Sequence, residues 1–242
     1  IKYPCVWKKT KFGYDGYGVK ILKSKEDFKN LPETEFIIED LIPFKKELAT
    51  TVARNKSGQI EIFPIVEMMF NETSNQVEYV LCPAQISPEL NERAKKIALK
   101  VSESFKQVGL LAVEMFLTHD NKILINEVAP RPHNSAHYSI ESCINSQFDQ
   151  HINSILDLPL GSSKSNFYAI MINLVGELGH EGKVVYEGIK EAMLIENTKL
   201  HLYGKSKTKP NRKMGHATVL DSNLENALKK AKKIKELVKV KT

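Results

Sequence analysis

The sequence predicts an α+β fold made mainly of antiparallel strand pairs, and three observations carry that expectation. Short apolar runs rich in β-branched residues follow one another directly over residues 47–84, as ELATTVARN, IEIFPIVEM and QVEYVLCPA, with polar or glycine-containing gaps between them. Helical stripes are few and fall between groups of strands, whereas a doubly wound parallel sheet would alternate strand and helix throughout. At 242 residues the chain is long enough to bury one large core, or a large lobe with a smaller one.

The elements follow in order. Residues 4–8 read as a strand, 13–18 as a glycine-rich loop, 19–22 as a strand, then a short helix capped by Ser24 and a strand over 35–39. The meander over 47–84 turns at Lys56-Ser57-Gly58 and at 71–75. Ser87-Pro88 opens a helix, because proline at the first helical position forfeits no hydrogen bond. Leu90, Ala94, Ile97, Ala98, Val101, Phe105 and Val108 form its apolar stripe, and Gly109 is its expected stop. A hairpin over 110–128 comes next, then the polar loop 128–137 and a helix through about 156 that ends at Pro159 and Gly161. Strand 167–175, a helix near 187–195, strands over 199–205 and 213–220, and a terminal helix complete the chain. That helix starts from a Ser222-x-x-Glu225 capping box and carries Leu224, Ala227, Leu228, Ala231, Ile234, Leu237 and Val238 on one face.

Composition narrows the partners. No apolar run approaches a membrane span, and the N-terminus has no signal-peptide core. Cys5, Cys82 and Cys143 are odd in number and scattered, which fits a reducing cytoplasm and not a disulfide framework. The net charge is +6, and residues 221–242 hold seven lysines against three acids, the wet face of a docked helix. No nucleic-acid motif accompanies them. The remaining basic residues suit a phosphorylated small molecule.

Glu114 and Glu127 are the most informative pair. Each interrupts an apolar run, LLAVEMFL and ILINEV, on either side of the tip Thr118-His119-Asp120-Asn121-Lys122. A two-residue Asp120-Asn121 loop would set Glu114 directly opposite Glu127. Facing like charges destabilise a ladder by roughly 0.2–1 kcal/mol, and burial adds to that. A hard divalent cation between them, such as Mg²⁺, removes the conflict and suits nucleotide phosphates. Two solvent-facing carboxylates on an edge hairpin are the plain alternative.

Other segments are less specific alone. Gly13-Tyr14-Asp15-Gly16-Tyr17-Gly18, with Lys8 on the strand before it, can cradle phosphate through backbone N–H groups, or can be a plain turn. Glu39-Asp40-Leu41-Ile42 ends a strand where backbone groups can meet an adenine edge, or simply turns at Pro43. Arg131-Pro132-His133-Asn134-Ser135-Ala136-His137 concentrates polar side chains on a stiffened loop. His133 and His137 have the spacing of a zinc pair but lack a third ligand, so recognition of an anion or polar ring fits better. Lys205, Arg212 and Lys213 form a basic stretch suited to phosphate, or a mobile surface loop.

Taken together, KKTKFGYDGYG, EDLIPFKKEL, VEMF, INEVAPRPHNSAH, SQFDQH and LYGKSKTKPNRKMGH resemble the 5-(carboxyamino)imidazole ribonucleotide synthetases of purine biosynthesis, a family of ATP-grasp enzymes. The similarity runs from Ile1 to about Val219. It implies an ATP-grasp fold, with residues 1–42 as the rest of the small lobe, 43–161 as the large lobe and 162–242 as a C-terminal α/β subdomain. It also implies ATP and Mg²⁺ as cofactors, and bicarbonate and 5-aminoimidazole ribonucleotide as substrates. The family leans toward homodimers.

Carried over by residue, Lys8 and Gly13, Tyr14, Asp15, Gly16, Tyr17 and Gly18 would hold the phosphates. Glu39, Asp40, Leu41 and Ile42 would line adenine, and Glu47 would meet ribose. Glu114 and Glu127 would hold the metal, with Asn126 beside them. Tyr14 and Asp15 would face the aminoimidazole, while Arg131, His133 and Asn134 would orient the bicarbonate-derived group. Lys205 and Arg212 would clamp the ribose phosphate. Asp15, Arg131 and His133 are thereby the expected catalytic residues. Tyr17, Phe70 and Ala136 depart from the family pattern, the first where Lys or Arg is usual and the second where His is. The family's Rossmann-like N-terminal lobe is absent here, so this piece alone is expected to be weak or inactive. Another ATP-grasp ligase, such as a formate-using transformylase, and a non-catalytic remnant are the alternatives.

Overall fold

The computed structural model describes residues 1–11, 18–71 and 76–242. Among the described residues the expected strands and helices form, with shifts at their ends; the turn expected at 71–75 falls on residues 72–75, outside the described residues.

Strands β1 (Cys5–Lys9), β2 (Val19–Leu22) and β3 (Phe36–Asp40) make a small antiparallel sheet in the order β2-β1-β3. Cys5, Trp7 and Leu22 are its buried residues, and Phe28 and Leu31 close over them. Phe28 belongs to a short 3₁₀ helix, Lys25–Asn30, which starts at Ser24 where the Asp27 carboxylate accepts the Ser24 N–H at 3.0 Å. Gly18 follows with φ +91°, and its carbonyl accepts the Lys9 N–H at 2.8 Å. That left-handed φ favours glycine at this position, and an added Cβ would also crowd the Lys9 side chain at 3.2 Å.

The main sheet is built from β4 (Phe44–Arg54), β5 (Ile60–Ile62), β6 (Val66–Phe70), β7 (Val77–Cys82), β8 (Gly109–Thr118), β9 (Ile123–Ala129) and β10 (Tyr168–Val175). Two short strands follow, β11 (Gly182–Lys183) and β12 (Val185–Glu187). Then β13 (Thr198–Leu202), the short β14 (Lys207–Thr208) and β15 (Lys213–Asp221) complete the set, with β16 (Lys239–Lys241) at the end of the chain. The sheet order is β13-β15-β10-β7-β6-β4-β8-β9, with β5 on β4. β10 pairs with β7, so residues on either side of position 161 share one sheet. IEIFPIVEM gives two strands rather than one, because the chain crosses at Phe63-Pro64-Ile65 between β5 and β6.

Helix α1 (Pro88–Phe105) is capped by Ser87, whose hydroxyl accepts the Leu90 N–H at 3.3 Å. It stops at Lys106, not at Gly109: Lys106 takes the left-handed conformation (φ 50°) and its N–H returns to the last turn. The helix expected through 156 is two, α2 (Ser139–Ser142) and α3 (Gln147–Ile155), because a fresh capping box at Ser146 and Asp149 restarts the second. After α4 (Ile189–Met193), the terminal α5 (Leu224–Leu237) is capped by Asn223 instead of Ser222. The Asn223 side chain accepts the Asn226 N–H at 3.0 Å. Among the described residues no helix is long and apolar enough to cross a membrane.

Strand alternation separates packing from chemistry. Leu48 and Val52 of β4 and Leu111, Val113 and Met115 of β8 bury against Ala94 and Ala98 of α1. Their neighbours in sequence, Glu47, Ala49, Glu114 and Phe116, therefore lie on the opposite face, where Glu47 pairs with Phe116 and Ala49 with Glu114.

Candidate active site

The β8–β9 register decides the centre of the site. Glu114 pairs with Glu127 as expected, but not through a two-residue loop. Thr118 and Lys122 close a three-residue loop with Asn121 left-handed (φ 59°), so Leu117 pairs with Ile123. A bulge in β9 at Asn126, opposite the Glu114–Met115 step of β8, then restores the Glu114–Glu127 pairing. The bulge has a use of its own, since the Asn126 side-chain oxygen accepts from Lys8 Nζ at 3.1 Å.

Three carboxylates converge rather than two. Glu114 is half-buried and its carboxyl is pushed up to about 8 by burial first, then by Glu127 and Glu47, against the pull of Lys213 and Lys8. Glu47 is pushed up to about 7 by burial and Glu127, with Lys8 opposing. Glu127 is exposed at the mouth. Desolvation and like charge both oppose ionisation, and a cation held between these carboxylates would relieve both. The donor set, carboxylate oxygens with a side-chain amide nearby, is that of a hard ion such as Mg²⁺. The residues present therefore fit the metal that the resemblance implies.

Lys8 ties the small sheet to this cluster. Its ammonium lies 2.7 Å from Glu39 Oε2 on β3 while it donates to Asn126 on β9. Glu39 and Asp40 end β3, and Leu41 and Ile42 follow it at partly buried positions between the two sheets. Gly18 is placed as described above, while Gly13, Tyr14, Asp15, Gly16 and Tyr17 lie outside the described residues. Phe70 ends β6 and packs against the core around Met68 and Tyr138.

The loop after β9 brings the next group. His133 presents Nε2 at 3.5 Å from Glu114 Oε1, and its Nδ1 meets Ser135 Oγ at 2.9 Å. His137 engages a different partner, Gln147, so the two imidazoles do not converge. Asn134 forms a reciprocal amide pair with buried Asn173, at 2.8 and 3.0 Å. Arg131 is exposed, its guanidinium donating to the Pro132 carbonyl at 3.1 Å. Lys205 Nζ donates to the Lys213 carbonyl at 2.6 Å, and Arg212 to the Lys207 carbonyl at 2.8 Å. Lys213 in turn acts on Glu114. The basic stretch thus borders the carboxylates.

Glu47, expected beside the ribose, also shares the field of Glu127. Three further residues in the site are not marked by the local pattern. Lys213 belongs to the basic stretch, but its action on Glu114 depends on the assembled sheet. Asn173 and Gln147 support the 131–137 loop from distant segments, which no local pattern indicates. A further cluster, Glu141, His201 and His216, has ligand atoms all within 4.8 Å of one another. Its geometry is that of a hydrogen bond and a ring stack. His201 Nε2 meets Glu141 Oε1 at 2.7 Å, and the two imidazoles stack at 4.5 Å with planes 15° apart. An ion bound to an imidazole nitrogen lies in the ring plane, and rings stacked face to face do not share such a point.

A family model described as ATP-grasp domain matches residues 1–148, and one described as phosphoribosylaminoimidazole carboxylase C-terminal domain matches residues 169–230. The N5-carboxyaminoimidazole ribonucleotide synthase of Bacillus subtilis (strain 168) is 38% identical over 224 residues, covering 91% of this chain and 57% of its own. The crystal structure of N5-carboxyaminoimidazole ribonucleotide synthetase from Thermotoga maritima matches with a TM-score of 0.90 at 44% identity, covering 100% of this chain and 63% of that one. The Aspergillus clavatus synthase, solved with ADP and 5-aminoimidazole ribonucleotide, matches at 0.85 and 31% identity, covering 97% and 62%. The chain thus spans about three-fifths of these relatives. It has the ATP-grasp fold with mostly antiparallel sheets, and it belongs to the ATP-grasp family, in the branch of the N5-carboxyaminoimidazole ribonucleotide synthases.

Proposed function

We propose that this chain supplies the ATP and carboxylation site of an enzyme that joins bicarbonate to the exocyclic amine of 5-aminoimidazole ribonucleotide, a step of purine biosynthesis. ATP is cleaved to ADP and phosphate. The observation that carries this reading is the cluster of Glu47, Glu114 and Glu127 between a lysine-bearing strand and the Arg131–Asn134 loop. Similarity to proteins of that name, one of them solved with ADP and the aminoimidazole nucleotide, supports it.

In this reading a bicarbonate oxygen attacks the γ-phosphorus and ADP leaves, giving carboxyphosphate. The amine then attacks the carboxyl carbon, phosphate departs, and the amine gives up a proton to leave the carbamate. No protein nucleophile is needed, so positioning and charge carry the catalysis. Glu114 and Glu127 would hold Mg²⁺, which neutralises phosphate charge when bound. Lys8, steered by Glu39 and Asn126, would meet phosphate oxygens, together with the 13–18 loop. Glu39, Asp40, Leu41 and Ile42 would line the base. Glu47 would meet the ribose or take part beside the metal carboxylates, which its position near Glu127 favours.

His133 and Arg131 would hold the bicarbonate-derived group, with Asn134 fixed by Asn173. Tyr14 and Asp15 would face the amine, and Lys205 and Arg212 the ribose phosphate. The three stretches 1–42, 43–161 and 162–242 would act as parts of one site. A cytoplasmic homodimer is the expected setting.

Phosphate release by the complete protein tests the reading. Turnover requiring both bicarbonate and 5-aminoimidazole ribonucleotide supports it; turnover with formate points to a transformylase, and none with either to a remnant. Glu127→Gln should abolish Mg²⁺-dependent turnover with the fold intact, and a wild-type rate would remove the metal assignment.

A further inference from the structure

The SQFDQH segment contributes no group to the proposed chemistry, yet its first glutamine bonds to the loop beside the site through both side-chain atoms and its main chain. Gln147 opens α3 and is fully buried. Its side-chain oxygen accepts the His133 backbone N–H at 2.8 Å, and its side-chain nitrogen donates to the His133 carbonyl at 3.0 Å. One amide thus pairs with both polar groups of a single backbone residue, as a neighbouring strand would. The same nitrogen lies 2.8 Å from His137 Nδ1. With one hydrogen committed to the His133 carbonyl, the second points to Nδ1, which must accept. His137 is then a neutral ring carrying its proton on Nε2. Burial, followed by the charges of Lys213 and His201, holds its basicity down to about 4, in the same sense.

The anchor is itself anchored. The Gln147 main-chain N–H bonds to Ser139 Oγ at 2.9 Å, and that hydroxyl donates to the Ala136 carbonyl at 2.6 Å. The 133–137 loop is therefore held by Gln147 directly at His133 and His137, and at Ala136 through the Ser139 hydroxyl of α2. His133 is the residue whose ring reaches Glu114, with Ser135 at its other nitrogen.

We propose that Gln147 is a positioning residue: its buried amide clamps the His133 backbone so that the His133 ring faces the Glu114 carboxylate, and this placement couples ATP cleavage to carboxyl transfer. The proposal rests on the function given above. Methionine matches the length but offers neither donor nor acceptor. Glutamate keeps the acceptor for the His133 N–H, but when ionised sets an oxygen against the His133 carbonyl.

The test compares wild type, Gln147→Met and Gln147→Glu in the complete protein. It measures ADP affinity, the KM for 5-aminoimidazole ribonucleotide, and the carboxylated product formed per ATP cleaved. For Gln147→Met the expected result is ADP affinity within about twofold of wild type but a product-to-ATP ratio lowered about tenfold or more, since a misplacement of about 1 Å has effects of that order. For Gln147→Glu the ratio relative to wild type should fall as pH rises and the introduced carboxyl ionises. A purely structural role would lower the active fraction and leave the ratio and the KM unchanged. Wild-type ratio and KM in both folded variants overturn the proposal.

A readout independent of turnover is the imidazole ¹⁵N spectrum of His137, expected to show the Nε2–H tautomer in wild type; an Nδ1–H tautomer also overturns it. Absence of bicarbonate-dependent turnover in wild type overturns the parent reading instead, and the tautomer still decides whether the clamp exists.

Discussion

Replacing Glu114 with glutamine should make the protein more stable above neutral pH, in the absence of nucleotide and divalent cation, while removing its metal site. In the folded chain this carboxyl is pushed from its ordinary 4.5 up to about 8. The unfolded chain has no such environment, so between those limits the folded state holds a proton that the unfolded state has released. Linkage then requires the Glu114 contribution to stability to be intact below about pH 4.5 and to be lost as pH rises toward 8. A displacement of about 3.5 pH units, at about 1.4 kcal/mol per unit, sets a ceiling of about 4–5 kcal/mol. Glu47, pushed up to about 7, shifts in the same direction and shares the same repulsion.

Neutral glutamine has nearly the same shape and removes the largest share of that conflict, so about 2–4 kcal/mol should be recovered at pH 8 and little at pH 5. For a chain of this size that corresponds to a rise in Tm of about 5–10 °C at the higher pH. Calorimetry of wild type and Glu114→Gln across pH 5–9 measures it. Parallel Tm curves over the whole range would refute the claim that this carboxylate is held against its own charge.

Millimolar Mg²⁺ should raise the wild-type Tm more at pH 8 than at pH 6, because the ion replaces the proton at the trio, and should leave Glu114→Gln nearly unmoved. Lys205→Ala should raise the KM for the aminoimidazole nucleotide about tenfold to a hundredfold, the worth of one charge-assisted bond, with ADP affinity unchanged in a calorimetric titration. An unaltered KM would remove Lys205 from the acceptor site. Gly188→Ala should lower stability by about 2 kcal/mol or more in urea unfolding. The new Cβ would lie 2.0 Å from the Leu237 carbonyl, and φ is +72°.

Much of the fold could be read from local pattern, because strand and helix periodicity and turn chemistry are properties of short stretches. The ends of elements were less legible. Lys106 ends α1 by adopting a left-handed conformation that glycine usually fills, and Asn223 caps α5 one residue after the expected serine. In both places several neighbouring residues satisfy the local rule, and packing selects among them. The Glu114–Glu127 pairing was expected from a loop that does not form. Loop length and the bulge at Asn126 offset each other, and register near a bulge depends on neighbouring strands as well as on the turn.

The sequence alone determined which residue types were available for chemistry: two acids in adjoining apolar runs, a polar loop stiffened by proline, and a basic stretch near the end. It also carried the motifs that identify the family. Tertiary structure alone decided that Glu47 joins the two acids, and that Lys8 bridges Glu39 and Asn126 across two sheets. It likewise decided that a glutamine 14 residues away in sequence holds His133 by its backbone. Those relations depend on which strands become neighbours and on how burial alters charge, and both are set only once the whole sheet has assembled.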